Sequence, residues 1–398
     1  MTVISKQAWA SVLLMLACLI LATTTTRGAE AAGDPDPYAP PRHDILPEAK
    51  WREIRQATDR ALDYLAQQQR DDGSFEAPIT GQPAITGLCT LAFLANGQLP
   101  DQGEHGQRVT KAVNYILGKQ KRNGLLSALG PEGPVVRQRG GYPHDIGVAA
   151  SYNHAISGLV LGEVYGAAAG EPNEPRLRRA IEMAVDFSLQ QQKWPQTTRD
   201  QGGWRYLHPY VGVNSDLPVT GWQIMMLRSA HNAGFDVPKA AIDQAAEYVL
   251  RCFDPGRQMF DYDATGSEGR NRAMAGVGIL ALAHASHHKR PEARTAADFI
   301  LREGFPKYNE TNLYNPANRS ERYHYSVCQC TLAMHQMGGE YWTEYFPPTA
   351  ESLLANQSAD GSWDAESNRD TLYGQSYTTA LVVIALSTPN QLLPIFQR

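Results

Sequence analysis

Two kinds of apolar segment alternate along the chain. The first kind is apolar on one helical face: over 176–192, Leu177, Ile181, Ala184, Val185 and Leu189 recur at three- or four-residue spacing, with charges between them. The second kind is apolar nearly all round: 219–232 carries Val219, Trp222, Ile224, Met225, Met226, Leu227 and Ala230, with Arg228 and His231 only near its end. A helix apolar on most faces is buried on most faces, so the first pattern predicts an outer helix and the second an inner one. The outer pattern recurs over 48–69, 108–120, 176–192, 237–251, 291–303 and 340–356, and the inner pattern over 84–94, 151–166, 219–232, 271–286, 323–337 and 377–387. The pair markers Tyr64, Tyr115, Phe187, Tyr248, Phe299 and Leu354 are unevenly spaced, as expected of repeats joined by loops of variable length. No strand pattern competes with this reading. An open solenoid would need polar capping repeats. Here the first and last inner segments are as apolar as the middle ones, and only closure buries them. The predicted fold is all-α, an (α/α)6 ring of six inner and six outer helices over 48–398.

The outer segments end in related turns. Gln69-x3-Gly73-Ser74-Phe75 and Gln357-x3-Gly361-Ser362-Trp363 share the form Gln-x3-Gly-x-aromatic, and Gln120-x3-Gly124-Leu125-Leu126 is a degraded copy. In such a turn Gln can bond helix-end backbone, Gly turns the chain, and the ring stacks into the next pair. These motifs resemble the repeats of squalene–hopene cyclases. The segments Tyr152-Asn153-His154, Gly203-Trp204-Arg205-Tyr206 and Asp216-x2-Val219-Thr220-Gly221-Trp222 are similar to those of secreted prenyltransferase/squalene-oxidase-repeat proteins. The resemblance spans roughly 48–390 and implies an α/α toroid of terpenoid-cyclase type. The chain departs from it at the chemistry. Where such cyclases carry an acidic D-x-D-D motif, this sequence reads Asn214-Ser215-Asp216-Leu217, with one carboxyl and no second to tune it as a proton donor. There is no Asp-rich magnesium motif. Cys328, Cys330, His324 and His335 lack the Asp-x-Cys of the zinc-dependent prenyltransferases, and Cys89 is not followed by the Gly-Glu-Gln of a thioester. No metal or cofactor is expected.

Composition narrows the partners. The 398-residue chain has a formal net charge of −5 and no basic stripe, which argues against nucleic acid. Lys6 precedes an apolar run over 9–22 that is short for a membrane span, and Ala29-Glu30-Ala31 fits a leader-cleavage site. This predicts a signal peptide over 1–31, a Pro-rich linker over 32–47 and export to the periplasm or beyond. Membrane association would then come only through an uncleaved N-terminal segment. The remaining cysteines, Cys89, Cys252, Cys328 and Cys330, are too few for a disulfide framework and read as buried thiols.

The N-terminal ends of the inner helices should converge on the hollow of the ring, where unpaired N–H groups favour polar or anionic groups. The candidates there are Asp216 and His154 for catalysis, and Tyr152, Asn153, Thr220, Trp222, His324, Tyr325 and Tyr377 for ligand binding. Competing structural roles are a helix cap for Asp216 and a hydrogen-bonded core position for His154. Tyr142 to Asp145 could line the mouth. Three functions fit: a ligand- or protein-binding toroid without cyclase chemistry, an enzyme acting on an isoprenoid or other apolar chain, and a polysaccharide lyase or hydrolase. The first is favoured because the cyclase acids and a carboxylate pair are both missing.

Overall fold

The structure is a computed structural model. It describes residues 39–397 except 43, 131–143, 167–173, 195, 208–213, 267–270, 306, 310–321 and 368. The expected leader, most of the Pro-rich linker, Tyr142 and the loop preceding it lie outside these residues, as do the side chains of His144 and Asp145.

Among the described residues, twelve α-helices alternate outer and inner. The outer set is α1 (Glu48–Gln68), α3 (Gly106–Gly118), α5 (Glu174–Gln192), α7 (Lys239–Arg251), α9 (Pro291–Glu303) and α11 (Gly339–Ala355). The inner set is α2 (Ala84–Leu94), α4 (His144–Tyr165), α6 (Leu217–Asn232), α8 (Arg272–His284), α10 (Tyr323–Met337) and α12 (Gly374–Ser387). Each inner helix packs on the next, and α12 packs back on α2, so the ring is closed. Burial follows the sequence pattern. Every residue of α2 is buried, whereas α3 buries one face through Val109, Ala112, Tyr115, Ile116 and Leu117. Two expectations need adjusting. Helix α4 starts seven residues earlier than expected, because residues 144–150 contain no helix-breaking signal stronger than Gly147. A two-residue antiparallel ladder, Phe253–Asp254 with Met259–Phe260, stands where no strand is expected; it ties off the turn after α7.

The Gln-Gly turns stitch neighbouring outer helices together. Gln69 Nε2 donates to its own turn at Gly73 O (3.1 Å) and to Arg108 O of α3 (2.8 Å). Gln120 does the same to Gly124 O and to Ala180 O of α5. Gln357 donates to Gly361 O and, across the seam of the ring, to Ala57 O of α1 (2.8 Å). A fourth clamp is hidden in the sequence by a longer turn: Gln192 bonds Gly202 O and Ala241 O of α7. The turn glycine fits for two reasons. Gly202 sits at φ +88°, and a Cβ there would lie 2.1 Å from the carbonyl oxygen of Gln244; Gly361 repeats this at φ +90° against Arg60 O.

The seam has further contacts. Trp51 of α1 stacks on Phe346 of α11 at 5.7 Å, and Asn96, just after α2, bonds Ser387 Oγ of α12 at 2.9 Å. At the C-terminal ends of the inner helices, a short turn, Pro394–Phe396, buries Ile395 and Phe396. It is held by Gln336 Nε2 to Phe396 O (2.9 Å) and by Ile395 N to Glu163 Oε2 (3.2 Å).

Candidate functional site

A cavity of about 260 Å³ lies at the N-terminal ends of the inner helices, and all six contribute to its wall. Ile85 and Leu88 come from α2, Tyr152 and Ile156 from α4, Trp222 from α6, Met274 from α8, Tyr325 from α10, and Tyr377 and Leu381 from α12. Helical spacing explains the pattern: Ile85 and Leu88, Tyr152 and Ile156, and Tyr377 and Leu381 are three or four residues apart and share a face. Loops complete the wall with Tyr206, Tyr262 and Tyr373 and with two charged residues, Arg322 and Asp370, which are ion-paired.

Of the residues expected at the hollow, Tyr152, Asn153, Trp222, Tyr325 and Tyr377 line it. Asn153 is already committed: its Oδ1 accepts from Ala84 N (3.1 Å) and its Nδ2 donates to Thr80 O (2.8 Å). Asp216, His154, Thr220 and His324 do not line the cavity, and each has a structural reason to sit behind the wall.

Asp216 is fully buried. Its Oδ1 accepts from Val219 N at 2.8 Å, capping α6, and its Oδ2 lies 3.6 Å from Arg205 Nη1. His154 is fully buried at an outer corner. Its Nδ1 accepts from Leu126 N (3.2 Å), leaving Nε2 to donate to Ala184 O (3.2 Å). Burial pushes its pKa down to about 3, so the imidazole is neutral. Thr220 does the equivalent work with a hydroxyl, its Oγ1 accepting from Trp204 N at 3.0 Å. His324 Nε2 meets Tyr308 Oη at 3.1 Å, and its Nδ1 is 3.6 Å from the buried carboxylate of Glu366. That carboxylate also accepts from the backbone N–H groups of Tyr323, His324 and Tyr325, completing the start of α10.

The electrostatics of the wall are those of protonated phenols. Burial, followed by the nearby Asp216, holds the Tyr152 and Tyr262 hydroxyls well above their ordinary pKa; burial does the same for Tyr377, followed by the charge of Asp370. For Arg322, burial opposes the charge, but Asp370 outweighs it and the guanidinium stays protonated. Behind the wall, Arg205 lies against the faces of Tyr206 (4.8 Å) and Tyr262 (5.7 Å), whose hydroxyls meet at 2.5 Å. This cavity offers aromatic faces and hydroxyl donors; among the described residues that line it there is no unpaired carboxyl.

For a metal, Cys89, Cys252, Cys328 and Cys330 are buried free thiols. Among the described residues, the group with suitably close ligand atoms is Asp63, Glu104 and His105, none of which lines the cavity.

The sequence reading missed Tyr206, Tyr262, Arg322, Asp370 and Tyr373. All sit in loops, at a helix cap or in a short 3-10 turn (Arg369–Tyr373), where helical periodicity carries no signal. A usable clue was position: Arg322 immediately precedes α10, and Tyr373 immediately precedes α12.

The architecture is shared with solved enzymes. A type II terpene cyclase from Scytonema, in complex with geranylgeranyl dihydroxybenzoate, superposes with a TM-score of 0.54 at 12% identity, covering 88% of this chain and 100% of that one. A sugar epimerase from a ruminal bacterium gives 0.55 at 12% identity, over 85% and 98% of the two chains. An alpha-amylase from Clostridium perfringens gives 0.51 at 10% identity, over 83% and 97%. No protein-family model and no curated protein matches the chain. These likenesses establish an α/α-toroid fold; one fold hosts several chemistries, so they do not carry an activity with them.

Proposed function

We propose that the protein is an exported α/α toroid that binds a compact, largely apolar ligand in its central cavity and lacks protonation-type cyclase chemistry. The observation that carries this reading is the makeup of the wall. Phenols and one indole surround the space, its Arg322–Asp370 charges are paired, and Asp216 is committed behind it to a cap and to Arg205. A carboxyl held behind the wall as a helix cap and as the partner of Arg205 does not reach the cavity, where it would have to deliver a proton to an alkene. Size supports the same reading. At about 260 Å³ the space falls below the roughly 300–1,000 Å³ of pockets that enclose drug-sized ligands. A long isoprenoid chain like that in the Scytonema cyclase complex is a poor fit. Glycoside hydrolysis is disfavoured too, because it uses two carboxylates on either side of the bond and the described lining residues supply one, already paired.

The test is native mass spectrometry of the mature protein against pools of isoprenoid lipids, small aromatic compounds and oligosaccharides. The expected result is retention of a compact ligand, weakened by Trp222→Ala and retained in Asp216→Asn. Appearance of a cyclised isoprenoid or a cleaved glycan, abolished by Asp216→Asn, would overturn the reading in favour of an enzyme.

A further inference from the structure

With the central cavity taken as the binding site proposed above, the polar groups left unpaired in its wall indicate what a ligand must carry. Most are engaged. Asn153 holds backbone on both sides, Asn271 caps α8 by accepting from Met274 N at 2.8 Å, and the Tyr206 and Tyr262 hydroxyls bond each other. Arg322 and Asp370 pair, and these two and Tyr373 have further interactions besides. The Tyr325 hydroxyl has no hydrogen-bond partner, but it is enclosed beside the Trp222 indole and closed off from the hollow. The hydroxyls of Tyr152 and Tyr377 differ: among the described residues neither has a hydrogen-bond partner, and neither is enclosed.

Tyr152 of α4 and Tyr377 of α12 stand on the two inner helices that pack on either side of α2. Both phenols lie within electrostatic reach of the Tyr325 hydroxyl and of Arg322, so they face the same part of the hollow. Burial keeps them protonated. A phenol shares its oxygen lone pair with its ring, so it donates better than it accepts. One turn deeper on the same two helices come Ile156 and Leu381, and Ile85 and Leu88 of α2 lie between them. The wall thus sets two free donors over an apolar floor.

We propose that the ligand is a small neutral carbonyl compound whose oxygen accepts from the hydroxyls of Tyr152 and Tyr377, with its apolar body on Ile85, Leu88, Ile156 and Leu381. A carbonyl oxygen has two lone pairs and no proton, which matches two donors. A hydrocarbon of the same shape leaves both phenols unpaired, and an alcohol brings a proton of its own to be accepted. A carboxylate would have to take Arg322 from the partners it already has. An ammonium would find the stronger acceptors of the wall, on Asn153, Asn271 and Asp370, already engaged.

The experiment is isothermal titration of the mature protein with probes of one shape: 4-phenylbutan-2-one, its methylene isostere 2-methyl-4-phenylbut-1-ene, the alcohol 4-phenylbutan-2-ol, 3-phenylpropanoate and 4-phenylbutan-2-amine. The ketone is expected to bind tightest, about tenfold tighter than the alkene, since two hydrogen bonds separate them. Tyr152→Phe and Tyr377→Phe, which keep both rings, should each cut the lead of the ketone over the alkene by about threefold. The double variant should erase that lead, whereas a general loss of packing would weaken both probes alike. Thermal unfolding of each variant shows that it is folded. An alkene that binds as tightly as the ketone, a lead that survives the double variant, or tightest binding of the alcohol, the acid or the amine would overturn the carbonyl ligand while leaving the cavity a binding site. If no probe binds to the folded protein, the binding reading falls and takes this inference with it.

Discussion

At four corners of the ring, a side chain near the start of an inner helix accepts the backbone N–H of the residue that ends the turn before it. Thr86 does this for Phe75, His154 for Leu126, Thr220 for Trp204 and Thr379 for Trp363. His154 is thus a variation on threonine at a structural position. His154→Ala is expected to strand the Leu126 N–H, at about 1–3 kcal/mol for a buried unsatisfied group, while the Ala184 carbonyl keeps its bond within α5. Urea unfolding should show that loss, while ligand affinity in the folded fraction stays unchanged. Buried titratable groups also set the pH profile. Burial lowers His154 to about 3 and His284 to about 4. Between those values and the unfolded value near 6.5 the unfolded chain binds more protons, so stability falls as pH drops through that window. Glu163 has the opposite sign. Burial raises it to about 7, against the hydrogen bonds from Ser229 and Ile395 that favour its ionised form. Its contribution is complete below its unfolded value near 4.5 and is lost as pH rises towards 7. Glu163→Gln should therefore raise the melting temperature at pH 8 relative to wild type by more than it does at pH 5. A Glu163→Gln effect independent of pH would contradict the assignment.

At the scale of elements, the working unit is the clamp. A Gln at the end of an outer helix reaches its own turn and the next outer helix, while a glycine in that turn lies against the same neighbour. The two halves make different predictions. Gln357→Ala removes two hydrogen bonds to backbone carbonyls, at roughly 0.5–1.5 kcal/mol each because part-buried carbonyls can regain water. Gly202→Ala forces a positive φ on alanine and drives a methyl against the Gln244 carbonyl, so its cost should exceed that of Gln357→Ala. Chemical denaturation of the two variants ranks them, and a smaller cost for Gly202→Ala would mean that the turn relaxes away from α7. The Gln-x3-Gly spacing made three clamps legible in the sequence. Gln192 was not legible as a clamp because its turn is longer, with nine residues between Gln and Gly, and only the position of Ala241 O shows that it does the same job.

For the whole molecule, closure is the decisive feature. The seam between the last and first pairs uses the same devices as the interior joints: the Gln357 clamp to α1, the Trp51–Phe346 stack, and the Asn96–Ser387 bond. A closed ring shares load among all its joints, so unfolding should be a single transition rather than fraying from the ends as in a solenoid. Removing residues 392–398 tests the end of the ring opposite the cavity. Leu393, Ile395 and Phe396 are buried there, and their loss would expose apolar surface between the inner helices. The truncated protein should melt earlier and bind a hydrophobic dye, with the cavity's ligand preference unchanged if the two ends act independently.

The sequence by itself determined the twelve helices, their division into outer and inner, and the closure of the ring, because burial on one face or on all faces is written directly in helical periodicity and needs no knowledge of the partner. It also put Tyr152, Trp222, Tyr325 and Tyr377 on the right helix ends. What periodicity could not supply was rotation: being near the start of an inner helix does not say whether a side chain points into the hollow or back towards the outer layer. The tertiary structure decided that. It turned Asp216, His154, Thr220 and His324 towards caps and corners, and it brought Arg322, Asp370, Tyr206 and Tyr262 in from loops whose only address is where the ring places them.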